Sequence, residues 1–254
     1  MYSEAISDSV WDLLHRLNSI AQMKSCYLGG GTALALQLGH RISEYLDFFV
    51  AEEFDHLFFE RTIKSNGLNT PVLNQTFGHT ELIIQYVRVD LIRERIPLKF
   101  PPKPIDSRMA NLRMADPRDI GRMKILSIGS RGSKKDFVDL YCLTRKVIPL
   151  DSLLILAMEE DHGVRYSKLF FLKGLVDFEE ADRDADLRLL WDIGWEEVKQ
   201  GLPDEVRQIA EKIQSIIDMQ PRRGDPEDLG DMTPLDNSMC FMLDFGTFHD
   251  VQVA

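Results

Sequence analysis

The sequence has few cysteines and places none of them where they could act together. Cys26, Cys142 and Cys240 are widely spaced, odd in number and form no C-x-x-C pair. That argues against a disulfide framework and against a structural zinc site, and implies reduced thiols in a cytoplasmic protein. Long apolar runs are missing too. Stretches such as residues 153–158 fall far below the ~20 residues that span a bilayer, so no membrane segment is expected. The opening, MYSEAISDSVWDLLHRL, has neither the basic start nor the apolar stretch of a secretory signal. HExxH, GxSxG, GxGxxG and a phosphate loop ending in GK[ST] are all absent, and His15, His56, His79, His162 and His249 show no metal-binding spacing.

An excess of positive charge is also lacking. The 254 residues carry a net −11, which argues against unspecific binding to nucleic acid. The charge is uneven. Residues 1–86 hold 5 basic and 10 acidic side chains, residues 87–147 hold 15 and 7, and residues 148–254 hold 10 and 24. The middle block, at +8, suits one site for a polyanion such as a nucleoside triphosphate; it equally suits a solvated basic face that balances the acidic last third.

What is present centres on residues 28–49, LGGGTALALQLGHRISEYLDFF. Gly29, Gly30, Gly31 and Thr32 form a strand-to-helix turn. Glycines let backbone N–H groups approach a phosphate, and the helix start after them adds partial positive charge, although an ordinary turn has the same composition. A helix is expected over 32–38, ended by Gly39. A strand over 45–50 puts Leu46, Phe48 and Val50 on a core face and Tyr45, Asp47 and Phe49 on the other. In the later run VRVDLI, Asp90 likewise stands off the apolar face. Two carboxylates on neighbouring strands can hold Mg²⁺ against phosphate oxygens; each alone is commonly a surface residue.

The rest of the chain reads as an amphipathic helix over 4–23, a strand over 25–28, a helix over 53–64, and a β-meander over 72–77 and 81–92 turning near Gly78. The proline-rich 99–104 is a loop. Asp116-Pro117 starts a helix over 118–128 that ends at Gly129, and helices follow over 134–144, 149–159, 165–175, 195–201 and 203–217. The tail from Gln220 begins as loop, with an apolar patch at 239–245 expected to dock on the body. Strands mixed with helices, then helices alone, imply an α+β class with units at 1–115, 116–219 and 220–254. Across 116–144, Lys124, Arg131, Lys134 and Lys135 offer cations for phosphate, while Asp136 and Asp139 share a helical face. A salt-bridged helical hairpin would use the same residues. His40-Arg41 has no metal-binding partner in sequence.

Taken together, LGGGTALALQLGHRISEYLDFF, VRVDLI, RMADPRDIGRMKILSIGSRGSKKDFVDLY and FFLKGLVDFEEAD resemble the AbiEii/AbiGii-type nucleotidyltransferase family, in the DNA polymerase β-like superfamily, over about residues 10–200. The resemblance implies a small mixed β-sheet nucleotidyltransferase core with flanking helices, followed by a helical C-terminal domain. It implies transfer of a nucleoside monophosphate from an NTP to an acceptor hydroxyl, on tRNA or protein, with Mg²⁺ or Mn²⁺, and toxins that act beside an antitoxin protein. By position, Gly30, Gly31 and Thr32 would hold the triphosphate and Asp47 and Asp90 the metal. Lys124 and Asp139 match the family's lysine and later aspartate, and Arg131 and Lys135 would contact phosphate. The family's D-x-D reads Tyr45-Leu46-Asp47 here, so the first metal aspartate is missing. Glu44 could replace it only if the strand starts after it or bulges there. Loss of a direct ligand costs on the order of 10²–10⁴ in rate. The alternative implied by Tyr45 is a degenerate, non-catalytic relative that binds nucleotide or a partner protein.

Overall fold

A computed structural model describes residues 1–51, 55–158 and 168–219. The architecture is α+β, as the sequence implies: one mixed sheet whose strands alternate with helices in the first half of the chain and are followed by helices alone. The tail from residue 220, with its apolar patch at 239–245, lies outside the described residues, as do 52–54 and 159–167, which take in parts of three expected helices.

The single helix expected over 4–23 is three segments: a 3₁₀ turn Ser3–Ala5, helix α1 Asp8–Asn18 and a 3₁₀ turn Ala21–Ser25. Ser7 starts α1 as an N-cap, accepting from the amide of Val10, and Ser19 Oγ donates back to the Arg16 carbonyl at 2.6 Å, so the polar side chains punctuate what the apolar spacing alone would continue. Strand β1, Cys26–Leu28, leads to α2, Gly30–Leu38, which Gly39 ends in a left-handed conformation at φ +67°. Strand β2 is Leu46–Val50, and Leu46, Phe48 and Val50 are buried while Asp47 and Phe49 are half-buried, the alternation that the sequence predicts.

Helix α3, His56–Ser65, precedes β3 Val72–Thr76, β4 His79–Ile84 and β5 Val87–Arg93. The run expected as one strand over 81–92 is thus split by a two-residue turn at Gln85 and Tyr86, both with positive φ, +50° and +68°. Neither residue advertises such a turn. Each left-handed residue costs about 1–2 kcal/mol, and the pairing of β4 with β5 buries Leu82, Ile84, Val87, Val89 and Leu91, each contributing about 1.5–3 kcal/mol. Burial wins. Within the expected 99–104 loop and after it lie two short strands, β6 Lys103–Pro104 and β7 Arg113–Met114, and the seven strands run in the order β3-β4-β5-β2-β1-β7-β6. β2 pairs parallel with β5 and antiparallel with β1.

Asp116 caps α4, Pro117–Arg131, with Pro117 in the first turn. α4 does not stop at Gly129. Its backbone there meets Gly174 of α7, where an added Cβ would lie 2.9 Å from the Gly129 Cα. Gly129 is therefore a helix-crossing contact, not a terminator. α5 Lys134–Lys146, α6 Leu150–Met158, α7 Lys168–Gly174 and α8 Trp195–Met219 follow. α8 is continuous through Pro203, where two helices were expected, because Val198, Leu202 and Ile209 form one buried stripe across the proline. α2 packs on both α4 and α5, so the helical half sits against the glycine turn. Among the described residues no helix is long and apolar enough to cross a membrane.

Candidate active site

The glycine turn is shaped by what crosses it. Gly29 N–H donates to the Asp47 carbonyl at 2.8 Å, tying the end of β1 to the middle of β2. Gly30 has φ +60°, and a Cβ there would overlap the Asp47 carboxylate. A Cβ on Gly31 would overlap the Arg41 guanidinium and lie 3.3 Å from Asp139 Oδ2. α2 has no side-chain cap at its start, so its first amides lack a helical acceptor, and the first residue of the helix, Gly30, packs against the Asp47 carboxylate. Thr32 is buried; its hydroxyl donates to the Tyr45 carbonyl and meets Ser43 Oγ at 2.7 Å. Thr32 thereby fixes the entry to β2, and its side chain is committed to the backbone; any triphosphate contact it makes falls to its amide.

Asp47 and Asp90 are directly paired across parallel β2 and β5, so they stand side by side on one face. Their surroundings differ. Asp90 is buried, with His79 Nε2 at 2.6 Å and Arg88 Nε at 3.0 Å. Asp47 is half-buried, and among the described residues no donor hydrogen-bonds its carboxylate. Burial, then the charge of Asp90, pushes the Asp47 carboxyl above the ordinary carboxylate range, against the pull of Lys124, Lys135 and Arg88. A half-buried, unpaired carboxylate beside a second one suits a hard divalent cation, which takes one or two carboxylates and completes its shell with phosphate and water oxygens. Glu44 does not join them. It is exposed, and although β2 begins after it, at Leu46, the opening that would let it reach, it is not grouped with Asp47 and Asp90 among the described residues. Among the described residues no three His, Cys, Asp or Glu side chains are grouped to hold a metal ion. Tyr45 lies at the rim, 47% exposed, with the Arg88 guanidinium over its ring at 5.6 Å.

Behind the turn lies a buried ion network. Asp139 of α5 accepts from Arg41 Nε and Nη2 at 2.6 and 3.0 Å and meets His40 Nε2 at 2.7 Å. Lys124 Nζ of α4 is 2.7 Å from Asp139 Oδ2 and donates to Asp136 Oδ1 at 2.7 Å. Burial pushes the Asp139 carboxyl up, but Arg41 and Lys124 outweigh it and hold the group well below its usual range. Burial likewise disfavours charged Lys124, and Asp139 and Asp136 reverse that, so its pKa is raised. The salt-bridged hairpin and the cationic site are thus one arrangement: Lys124 spends two of its three donors on aspartates and keeps its charge. Arg131 and Lys135 are exposed at the facing ends of α4 and α5. Lys134 turns away. Its Nζ bonds the Asp184 carbonyl at 2.8 Å and Asp186 at 3.1 Å, so it is a tether to the segment before α8 and not a phosphate contact.

Sequence reasoning passed over His40, Arg41 and Arg88. His40 and Arg41 reach Asp139 because Gly39 reverses the chain after α2, and the His40 carbonyl is held by the amides of Leu190 and Trp191 at 2.8 and 3.2 Å. The local signal was a His-Arg pair directly after a helix-ending glycine; its partner lies 98 residues away from Arg41. An open groove of about 420 Å³ beside β1 and β7, lined among others by Lys24, Cys26, Tyr27 and Arg113, includes none of these residues.

The Nucleotidyl transferase AbiEii toxin family, described as part of a type IV toxin–antitoxin system, matches residues 12–220. An uncharacterised protein of Aquifex aeolicus (strain VF5) is 31% identical over 205 residues, covering 79% of this chain and 95% of the relative. Among solved structures, JHP933 from Helicobacter pylori is similar with a TM-score of 0.49 and 18% identity over 84% of this chain and 97% of its own. MenT4, a nucleotidyltransferase toxin from Mycobacterium tuberculosis H37Rv, is similar with a TM-score of 0.46 and 15% identity over 78% of this chain and 82% of its own. With the glycine turn, the Asp47–Asp90 pair and the Lys124–Asp139 network falling inside the matched span, the chain belongs to the AbiEii nucleotidyl transferase toxin family.

Proposed function

We propose that the chain moves a nucleoside monophosphate from an NTP to an acceptor hydroxyl on tRNA or protein, and that it does so as a toxin held in check by an antitoxin protein. The observation that carries the reading is the Asp47–Asp90 pair set against the uncapped start of α2, which brings an unpaired carboxylate and free amides to one spot. In this reading the amides of Gly30, Gly31 and Thr32, with exposed Arg131 and Lys135, bind the triphosphate. Asp47 and Asp90 would hold Mg²⁺ or Mn²⁺, which when bound supplies neutralisation of the charge that builds on the phosphoryl oxygens and leaving group. Lys124 and Arg41, balanced by Asp139 and Asp136, tie α4 and α5 to the segment after α2 and so fix the wall behind the turn, with Asp139 orienting both cations. The acceptor oxygen bonds the α-phosphorus, the bond to the bridging oxygen of the β-phosphate breaks, pyrophosphate leaves and the hydroxyl proton passes to solvent.

Incubation with each α-labelled NTP, Mg²⁺ or Mn²⁺, total tRNA and a protein extract tests this. A labelled RNA or protein band is expected; its absence with every NTP counts against transfer. Tyr45 and Arg88 favour a second reading, a nucleotide-binding relative that transfers nothing, because together they occupy the side of Asp90 where a further acidic ligand belongs. Under it, NTP raises the melting temperature equally with and without Mg²⁺.

A further inference from the structure

Three carboxylates, not two, stand in a row on the site face. Glu81 pairs with Asp90 across antiparallel β4 and β5, and Asp90 pairs with Asp47 across β5 and β2, so successive strands bring Glu81, Asp90 and Asp47 into line. Such a row is self-repelling unless cations enter it. One cation is already built in. Arg88 Nε lies 3.2 Å from Glu81 Oε1 and 3.0 Å from Asp90 Oδ2, and its guanidinium rests over the Tyr45 ring. Asp90 takes a further contact from His79 at 2.6 Å. The charges are therefore shared out asymmetrically: Glu81 and Asp90 are served by Arg88, and Asp47 is left open. The Arg88 side chain is 42% exposed, so what opposes its displacement by a metal ion is the joint loss of two carboxylate contacts and of its rest on the Tyr45 ring.

Resting on the transferase reading above, we propose that Arg88, braced by Glu81 and Tyr45, is a resident cation that stands in for a second divalent ion at Asp90. The site then takes one ion, held by Asp47, the lone pairs of Asp90 that Arg88 and His79 leave open, and the nucleotide phosphates, where paired-ion sites of phosphoryl transfer hold two about 3.5–4 Å apart. The substitution of Tyr45 for an acidic residue and the placement of Arg88 are two halves of one exchange. An aspartate at position 45 would compete for the guanidinium or call for another metal; a tyrosine supplies the ring on which the guanidinium rests. Arg88 is a positioning residue in this scheme, acting through Asp90.

The test counts ions. The full chain is saturated with a non-transferable α,β-methylene NTP analogue and titrated with Mn²⁺, and bound Mn²⁺ per bound nucleotide is read by electron paramagnetic resonance. One Mn²⁺ per nucleotide is expected for the unaltered chain and for Arg88→Lys, and two for the double variant Tyr45→Asp/Arg88→Met, with magnetic coupling between the two ions. Two ions in the unaltered chain overturn the inference and leave the transferase reading standing. A double variant that is folded by its melting curve and still binds one ion also overturns it. Bound nucleotide with no Mn²⁺ at all overturns both. The count in the unaltered chain stands even where the double variant does not fold.

Discussion

Replacing Asp139 with Asn probes the join between the two halves of the chain. Asp139 is fully buried and accepts from Arg41 twice, with His40 and Lys124 also in contact. Asn keeps the shape, removes the charge and presents an amide N–H₂ to a partner that is itself a donor. Lys124 retains Asp136, but Arg41 keeps only the one remaining amide oxygen and the Ile42 carbonyl at 3.1 Å, with no carboxylate charge opposite it. Removing one partner from a buried ion pair costs about 3–5 kcal/mol, against total stabilities of about 5–15 kcal/mol. For a chain of this size the melting temperature should fall by roughly 6–20 °C. The pH dependence has a definite sign. A carboxyl held well below its unfolded value contributes stability that is present above that value, about 3.9, and lost as pH falls through the lower folded pKa. Lys124, raised above its ordinary value, contributes stability present below about 10.4 and lost as pH climbs through the higher folded pKa. Urea unfolding of Asp139→Asn at pH 7 should show the full loss, and the acid limb of its stability curve should be shallower than that of the unaltered chain. A loss below about 1 kcal/mol with an unchanged acid limb would refute the claim that Asp139 holds these cations.

Gly30→Ala should cost about 1–3 kcal/mol from the left-handed backbone alone and should also displace the Asp47 carboxylate; unfolding together with nucleotide binding measures both, and unchanged nucleotide affinity would count against the placement of the turn. Gln85→Asn with Tyr86→Gly, at a turn whose tyrosine is fully exposed, should stabilise, because relief of about 1–2 kcal/mol per left-handed residue outweighs the roughly 0.5–1 kcal/mol of extra unfolded-chain freedom at the glycine; a raised urea midpoint with activity unchanged is the readout.

Much of the site face was legible from alternation. A strand period of two put Asp47 and Asp90 off the core, and the sheet pairs them directly. The glycine turn was legible because few other arrangements use three successive glycines before a helix. Arg41 and His40 were not legible, because their value lies in a partner on a helix 98 residues beyond Arg41. Arg88 was not legible either, because its meaning depends on Glu81, Asp90 and Tyr45 converging from three segments. Local signals misled where packing overruled them. Gly129 and Pro203 look like helix ends, yet one meets Gly174 and the other lies between buried Leu202 and Ile209. The turn at Gln85 and Tyr86 carries no glycine or asparagine and is imposed by the strands on either side.

The most direct test of the central claim compares the unaltered chain with Asp47→Asn in a transfer assay using α-labelled NTP, Mg²⁺ and total tRNA or protein. Asn fits the same space beside Gly30 without the charge. Label should pass to an acceptor with the unaltered chain, and the variant should lose at least about 10²-fold in rate while melting at a similar or higher temperature, since the lost charge repels Asp90. Equal transfer by both proteins, or no transfer by the unaltered chain with any NTP, would contradict the account.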